Sequence, residues 1–497
     1  MSKVIRITGD SITYSSGIIP TILIDRGAKL PLHKQVYDGF RSAILRGQLL
    51  PGQQVPSSRE LALGLGISRF PVLDAYAQLL AEGHFETRIG SGTFVSACLP
   101  GKTAKPVERR PLAGPRPVSR RGQLVPSFEP VPWRSGWGSF GVHQPAIDHF
   151  PFRLWSKLLA QSGGTPSPRS VHQIDPLGLE KFRETICTYL RTARAVQCEP
   201  QQVMIVSGSQ QALAITAQVL LDPGDSVWIE DPGSPLTRAV LMNAGGNVIP
   251  VPVDGEGLNV TAGSCLFHKA RAAFVTPSHQ YPLGATMSVA RRLQLLSWAH
   301  EAGAWIVEDD YDSEYRYGSM PIPSLQSLDS NARVIYIGTF SKVLLPSVRL
   351  GYIVVPPDLL DRFVAVCLAF DIFPGSLYQQ VVARFIREGH FARHVRRMRS
   401  LYKERHRVLI DGIRCIFGGS LEIHGVEAGM HITVTIPPGR CDVELAWRAA
   451  KRKLWLWPLS PCYAGEPRNG FILGFGSTPV HHVQVALEGL RQILEGP

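Results

Sequence analysis

The chain has 497 residues, 44% hydrophobic and 19% charged, too long for one ordinary domain and too apolar for global disorder. No apolar run is long enough to span a bilayer, and the N-terminal stretch MSKVIRITGDSITYSS has no apolar signal core, so no membrane role is expected and the cytoplasm is the default. The net charge of +12 is uneven, with 17 Lys/Arg against 8 Asp/Glu in residues 1–122, which suits a polyanionic partner, nucleic acid or a membrane surface, or else a solvated basic face.

In chain order, the first predicted helix runs from Lys34 to Arg46, with Val36, Phe40, Ile44 and Leu45 on one face and Gly47 as its stop. A second, short helix opens at Ser57-Ser58-Arg59-Glu60, a capping box in which hydroxyl and carboxylate satisfy orphan N–H groups reciprocally; it ends at Gly66. A third starts with Ser68 as N-cap and carries the stripe Val72, Ala75, Tyr76, Leu79, Leu80 up to Gly83. His84–Arg88, a Gly90-Ser91-Gly92 turn and Thr93–Val95 read as a hairpin.

Helix, short helix, tight turn, helix and hairpin form an α+β winged helix-turn-helix, whose third helix enters the major groove by its N-terminus. Arg69 stands there, able to read guanine bidentately. Arg59 is placed for phosphate, and Arg88 with Gly90, Ser91 and Gly92 for an adjacent groove or backbone. The alternative is a small helical protein-binding domain with ordinary surface arginines. Residues 22–96 closely resemble the GntR family, on the Pro51-Gly52 turn, the run Pro56–Ala62, Ser68-Arg69 and the Gly90–Val95 wing. The resemblance implies double-stranded operator DNA as partner. Phe70 and Pro71 depart from it, since small polar residues usually follow the Ser-Arg pair.

Residues 97–137 read as a basic, Pro-rich linker, densest between Pro100 and Pro132 and carrying Arg109, Arg110, Arg116, Arg120 and Arg121. Beyond it, strand candidates at 203–206, 226–230, 272–276, 304–307 and 333–337 alternate with helical patterns at 210–221 and 289–302, an α/β architecture. The eight cysteines contain no C-x-x-C pair and no His at zinc spacing, so they read as reduced thiols, with no metal site expected.

Four pieces of this second half carry chemistry. Lys342 follows an apolar strand within Gly338-Thr339-Phe340-Ser341-Lys342 and is placed to form a Schiff base with an aldehyde cofactor; the alternative is a solvated surface lysine. Asp309 and Tyr311 point the same way at a strand end, the carboxylate suited to a pyridine nitrogen and the phenol to a ring hydroxyl. A solvated loop or a divalent metal site is the alternative there, and the apolar run up to Glu308 without a nearby His speaks against metal. Ser207–Ala212 is a strand-to-helix turn fit to cradle phosphate. Arg349 suits a phosphate charge.

Together these stretches resemble the fold-type I pyridoxal-phosphate enzymes, in particular the aminotransferase-like domain of MocR/GabR-type regulators. The resemblance implies an α/β main domain at 138–497, a mixed, mostly parallel sheet with helices on both faces, and a small subdomain from about 376. It implies pyridoxal 5'-phosphate as cofactor, held as an aldimine by Lys342. Asp309 would sit on the ring nitrogen, Tyr311 on the ring hydroxyl, and Ser209, Gln210, Thr339, Ser341 and Arg349 around the phosphate. Tyr281 stands where many aminotransferases have Asn. Ser234 replaces an aromatic that usually stacks on the ring, and Ile472 stands at the place of a substrate-gripping arginine, with Arg468 nearby. The expected function is a regulator sensing an amine or amino-acid effector as a head-to-tail homodimer, not an enzyme. An active aminotransferase with a DNA-binding appendage and a sensor of pyridoxal phosphate itself are the alternatives.

Overall fold

The computed structural model describes residues 13–14, 17–18, 22–97, 114, 116–119, 122–123, 130–163, 175–318, 322–372 and 374–496. Most of the basic Pro-rich stretch, including Arg109, Arg110, Arg120 and Arg121, lies outside them, as do Cys98 and residues 1–12. The chain divides into two compact units, Met1–Arg116 and Pro117–Pro497.

In the first unit, strands β1 (Thr13–Tyr14) and β2 (Gly17–Ile18) pair antiparallel. Helix Leu32–Leu45 buries Val36, Tyr37, Phe40, Ala43 and Ile44. Leu45, expected on that face, is 56% exposed: it lies one residue past Ile44, about 100° round the helix. β3 (Gln54–Val55) pairs with β5 (Gly92–Val95), which pairs with β4 (Phe85–Arg88); β3 is too short to leave a period-2 pattern. Helix Ser58–Gly64 has the capping box: Ser57 Oγ accepts from Glu60 N at 3.3 Å, and Ser57 N donates to Glu60 Oε2 at 3.0 Å. Helix Arg69–Ala81 buries Val72, Ala75, Tyr76 and Leu79.

The second unit is built on an eight-stranded sheet. Its strands are β6 (Val203–Val206), β7 (Ser226–Asp231), β8 (Asn247–Asp254), β9 (Gly257–Leu258), β10 (Ala272–Val275), β11 (Trp305–Asp310), β12 (Val334–Thr339) and β13 (Gly351–Val354). The spatial order is β6-β13-β12-β11-β10-β7-β8-β9. Strands β12, β11, β10, β7 and β8 run parallel, and β13 is antiparallel to both its neighbours. Alternation sends Met204, Val206, Ile335 and Ile337 into one core with Leu213 and Phe363, while Val203, Ile205 and Tyr336 join another across the sheet. Helices thus cover both faces, and strands β6, β10, β12 and β13 bury both rows of side chains.

A second sheet, order β14-β15-β17-β16, is antiparallel: β14 (Glu422–His424), β15 (His431–Thr435), β16 (Trp457–Pro458) and β17 (Gly470–Gly474). The short helix Pro132–Ser135, within the stretch read as linker, buries Trp133 in this unit's core. Among the described residues no helix is long and apolar enough to cross a membrane.

Candidate functional site

In the first unit, Arg59, Ser68, Arg69, Arg88, Gly90, Ser91 and Gly92 are all exposed. Ser68 occupies the N-cap position without a side-chain cap bond. Arg69 Nε instead donates to Ser58 Oγ at 3.0 Å, tying the start of the third helix to the start of the second. Arg88 pairs with Glu86 at 2.8 Å and lies 4.4 Å from the Phe94 ring centre. Phe70, the departure after the Ser-Arg pair, is 76% exposed, and Ile89, which sequence reasoning missed, is fully exposed at the wing tip. An exposed aromatic at that helix start offers an apolar contact to a thymine methyl.

In the second unit, Ser209, Gln210, Tyr281, Asp309, Tyr311, Thr339, Ser341, Lys342 and Arg349 all line one cavity of about 280 Å³. The sheet brings them together. β6 leads into helix Ser209–Leu220, β11 ends in Asp309 and Asp310 with Tyr311 just beyond, β12 ends just before Lys342, and Arg349 precedes β13. Because β13 lies between β6 and β12, Gly351 pairs with both Val206 and Thr339. That register seats Arg349 on the helix start: a Cβ at Gly208 would stand 3.4 Å from its guanidinium, and Gly208 has φ +99°.

Strand alternation separates neighbouring carboxylates. Asp310 points away from the cavity, to Arg194 Nε at 2.8 Å and the Tyr336 hydroxyl. Asp309 Oδ1 is buried with no protein partner, and burial, with Asp310 beside it, raises the carboxyl to about 7. Burial lowers the Lys342 ammonium to about 8, against the pull of Asp312 and Asp309. Burial also pushes the Tyr311 phenol well above its usual range.

Such a donor set fits pyridoxal phosphate: an amine of lowered basicity, an orphaned carboxyl oxygen for a ring nitrogen, a phenol for a ring oxygen, and a helix N-terminus with an arginine for phosphate. Ser234 contributes no ring to stack. Its Oγ accepts from Thr237 N at 3.3 Å and caps helix Pro235–Ala244. Ile472 is fully buried against Tyr281, Tyr311, Leu459 and Cys462, and Arg468 is not among the lining residues.

Sequence reasoning missed His143, Trp133, Arg134 and Trp457, which also line the cavity. His143 stacks on Tyr281 with ring centres 5.5 Å apart and meets Trp457 edge-on at 5.5 Å. Its φ of +67° is strained for a non-glycine residue, and burial drives its imidazole well below the usual range. No local pattern marks these residues. A larger groove, about 930 Å³, lies between helices Glu180–Arg194 and His390–Phe417; none of the expected cofactor residues lines it.

Comparisons with known proteins agree with this fold. Residues 32–95 match the bacterial regulatory proteins of the gntR family, and residues 155–467 match aminotransferase class I and II. The probable rhizopine catabolism regulatory protein MocR of Rhizobium meliloti is 38% identical, over 95% of each chain. The HTH-type pyridoxine biosynthesis transcriptional regulator PdxR of Corynebacterium glutamicum is 31% identical, over 89% of this chain and 91% of its own. The crystal structure of LysN, an α-aminoadipate aminotransferase of Thermus thermophilus complexed with N-(5'-phosphopyridoxyl)-L-leucine, is 25% identical at a TM-score of 0.69, over 76% of this chain and 97% of its own.

Proposed function

The chain belongs to the MocR-type regulators, a gntR-family winged helix joined to an aminotransferase class I and II domain, and on that premise we propose a pyridoxal-phosphate-dependent transcription regulator. The small unit binds operator DNA, and the cavity around Lys342 holds the cofactor and admits an amine or amino-acid effector. The supporting observation is the convergence of Lys342, Asp309, Tyr311, Ser209, Gln210, Thr339, Ser341, Arg349 and Tyr281 on one cavity, in a chain that also carries the winged helix.

When bound, pyridoxal phosphate supplies an aldehyde that amines take up reversibly. Lys342 provides the resident amine, and its lowered pKa keeps a useful unprotonated fraction near neutral pH. Asp309 holds or releases a proton at the ring nitrogen. Arg349 and the start of helix Ser209–Leu220 fix the phosphate, with Ser209, Gln210, Thr339 and Ser341 around it. In the small unit Arg69 reads base edges, while Arg59, Ser68, Arg88 and the Gly90-Ser91-Gly92 wing position the duplex. A head-to-tail homodimer would present two such units to two half-sites. An effector acts by binding one state of the protein more tightly than the other.

The test is the visible absorption spectrum with pyridoxal phosphate, wild type beside Lys342→Ala. A band only in the wild type, trapped on Lys342 by borohydride, is expected; no band in either overturns the reading. Amines are then screened for a change in operator affinity. A response to pyridoxal phosphate alone would favour a sensor of the cofactor, a reading the PdxR relative and Ser234 support. Amino-acid turnover with 2-oxoglutarate at ordinary enzyme rates would favour a working aminotransferase, against which Ile472 speaks.

A further inference from the structure

We infer that His279, held by Asp312, is a positioning residue that turns the Tyr311 hydroxyl hydrogen into the Lys342 cavity. The inference rests on the reading of that cavity as a cofactor site. His279 Nδ1 lies 3.1 and 3.0 Å from the two Asp312 carboxylate oxygens, and both side chains are almost wholly buried, at 1% and 3% exposure. A carboxylate only accepts hydrogen bonds, so Nδ1 carries the hydrogen. This holds whether the imidazole is neutral or charged.

The Tyr311 hydroxyl oxygen stands 3.1 Å from that same nitrogen. With its one Nδ1 hydrogen directed at Asp312, His279 offers no lone pair there, so Tyr311 can at most share that hydrogen, cannot donate to Nδ1, and turns its own phenolic hydrogen elsewhere. Tyr311 lines the cavity beside Lys342 and Asp309. An anionic ring oxygen of the occupant is the acceptor this hydrogen suits, and a donor that is itself hydrogen-bonded is polarised and stronger.

Two glycines make room for the ring. A Cβ at Gly429 would stand 1.9 Å from His279 Cε1, and one at Gly284 3.0 Å from Nε2. The groups facing His279 are Asp312, Tyr311, His431, at 4.8 Å between ring centres, and His406. His279, Asp312 and His431 also bring ligand-capable atoms within 4.8 Å of one another. A hydrogen shared between Nδ1 and the carboxylate accounts for their 3.0 Å contact without a metal ion.

The first measurement uses the cofactor-loaded full chain and reads the apparent pKa of its visible band. His279→Phe should shift it in the same direction as Tyr311→Phe, by part of the amount. In the Tyr311→Phe background the same change should add nothing, because His279 acts through Tyr311. No shift, or equal shifts in both backgrounds, overturns the inference. The second measurement needs neither cofactor nor variant. Long-range proton–nitrogen spectra of the 15N-histidine-labelled wild type should find His279 protonated at Nδ1. A bare Nδ1, or stoichiometric zinc on the purified protein, overturns the proton placement. A wild type without a visible band overturns the cofactor reading instead, and the histidine spectra still decide where the proton sits.

Discussion

The two units hold their functional residues in opposite ways. The winged helix leaves Arg59, Ser68, Arg69 and Arg88 in water, where each charge is screened and no single contact dominates. The large unit crowds Lys342, Asp309 and Tyr311 into a cavity where burial shifts all three. A solvated surface costs the fold little and works by summed contacts. A buried constellation costs stability and makes each residue matter singly.

The largest expected effect breaks one unit and spares the other. Phe40 is fully buried and meets Tyr76 and Phe85 edge-on, with ring centres 5.5 and 5.3 Å away. Phe40→Ala should cost about 3–5 kcal/mol and abolish operator binding at 37 °C, with the cofactor's visible band unchanged. A band lost together with DNA binding would mean that the units are not independent.

Asp309→Asn sharpens the contrast by its sign. A carboxyl raised to about 7 stays protonated in the folded chain where the unfolded chain has already ionised. Its contribution to stability is therefore most favourable at low pH and is lost as pH rises from about 4 to about 7. The cofactor-free variant should be more stable than wild type at pH 8, by up to about 4 kcal/mol, with the gap closing toward pH 4. Pyridoxal phosphate affinity should fall. Thermal melts across that range check the first outcome and spectral titration the second.

Surface changes should be smaller. Arg69→Ala should weaken specific operator binding by about 1–3 kcal/mol, roughly 5- to 150-fold, and non-specific binding much less; equal losses would remove its base-reading role. Arg88→Ala should lower the salt slope of binding by about 1 with little change in sequence preference. Its pairing with Glu86 already offsets part of its charge.

Much of the cavity was legible because its residues sit at ends of local patterns. Asp309 and Tyr311 close an apolar strand, Lys342 follows another, and Ser209 opens a helix. Strands β6, β7, β10, β11 and β12 were legible for the same reason. Strand β8 was not: Pro250 and Pro252 interrupt its pattern. His143 and Trp457 reach the cavity from distant stretches that carry no motif.

The sequence by itself determined what local hydrogen-bonding and periodicity determine: the capping box at Ser57, the buried stripe from Val72 to Leu79, the glycine-turned wing, and the shared side of Asp309 and Tyr311. Only the tertiary structure decided that β13 lies antiparallel between β6 and β12, which seats Arg349 on the start of the helix from Ser209. Likewise it placed His279 against both Asp312 and Tyr311. Both outcomes depend on contacts between residues far apart in the chain. Such contacts leave no period in the sequence, because they are set by the packing of whole elements rather than by the conformation of any one.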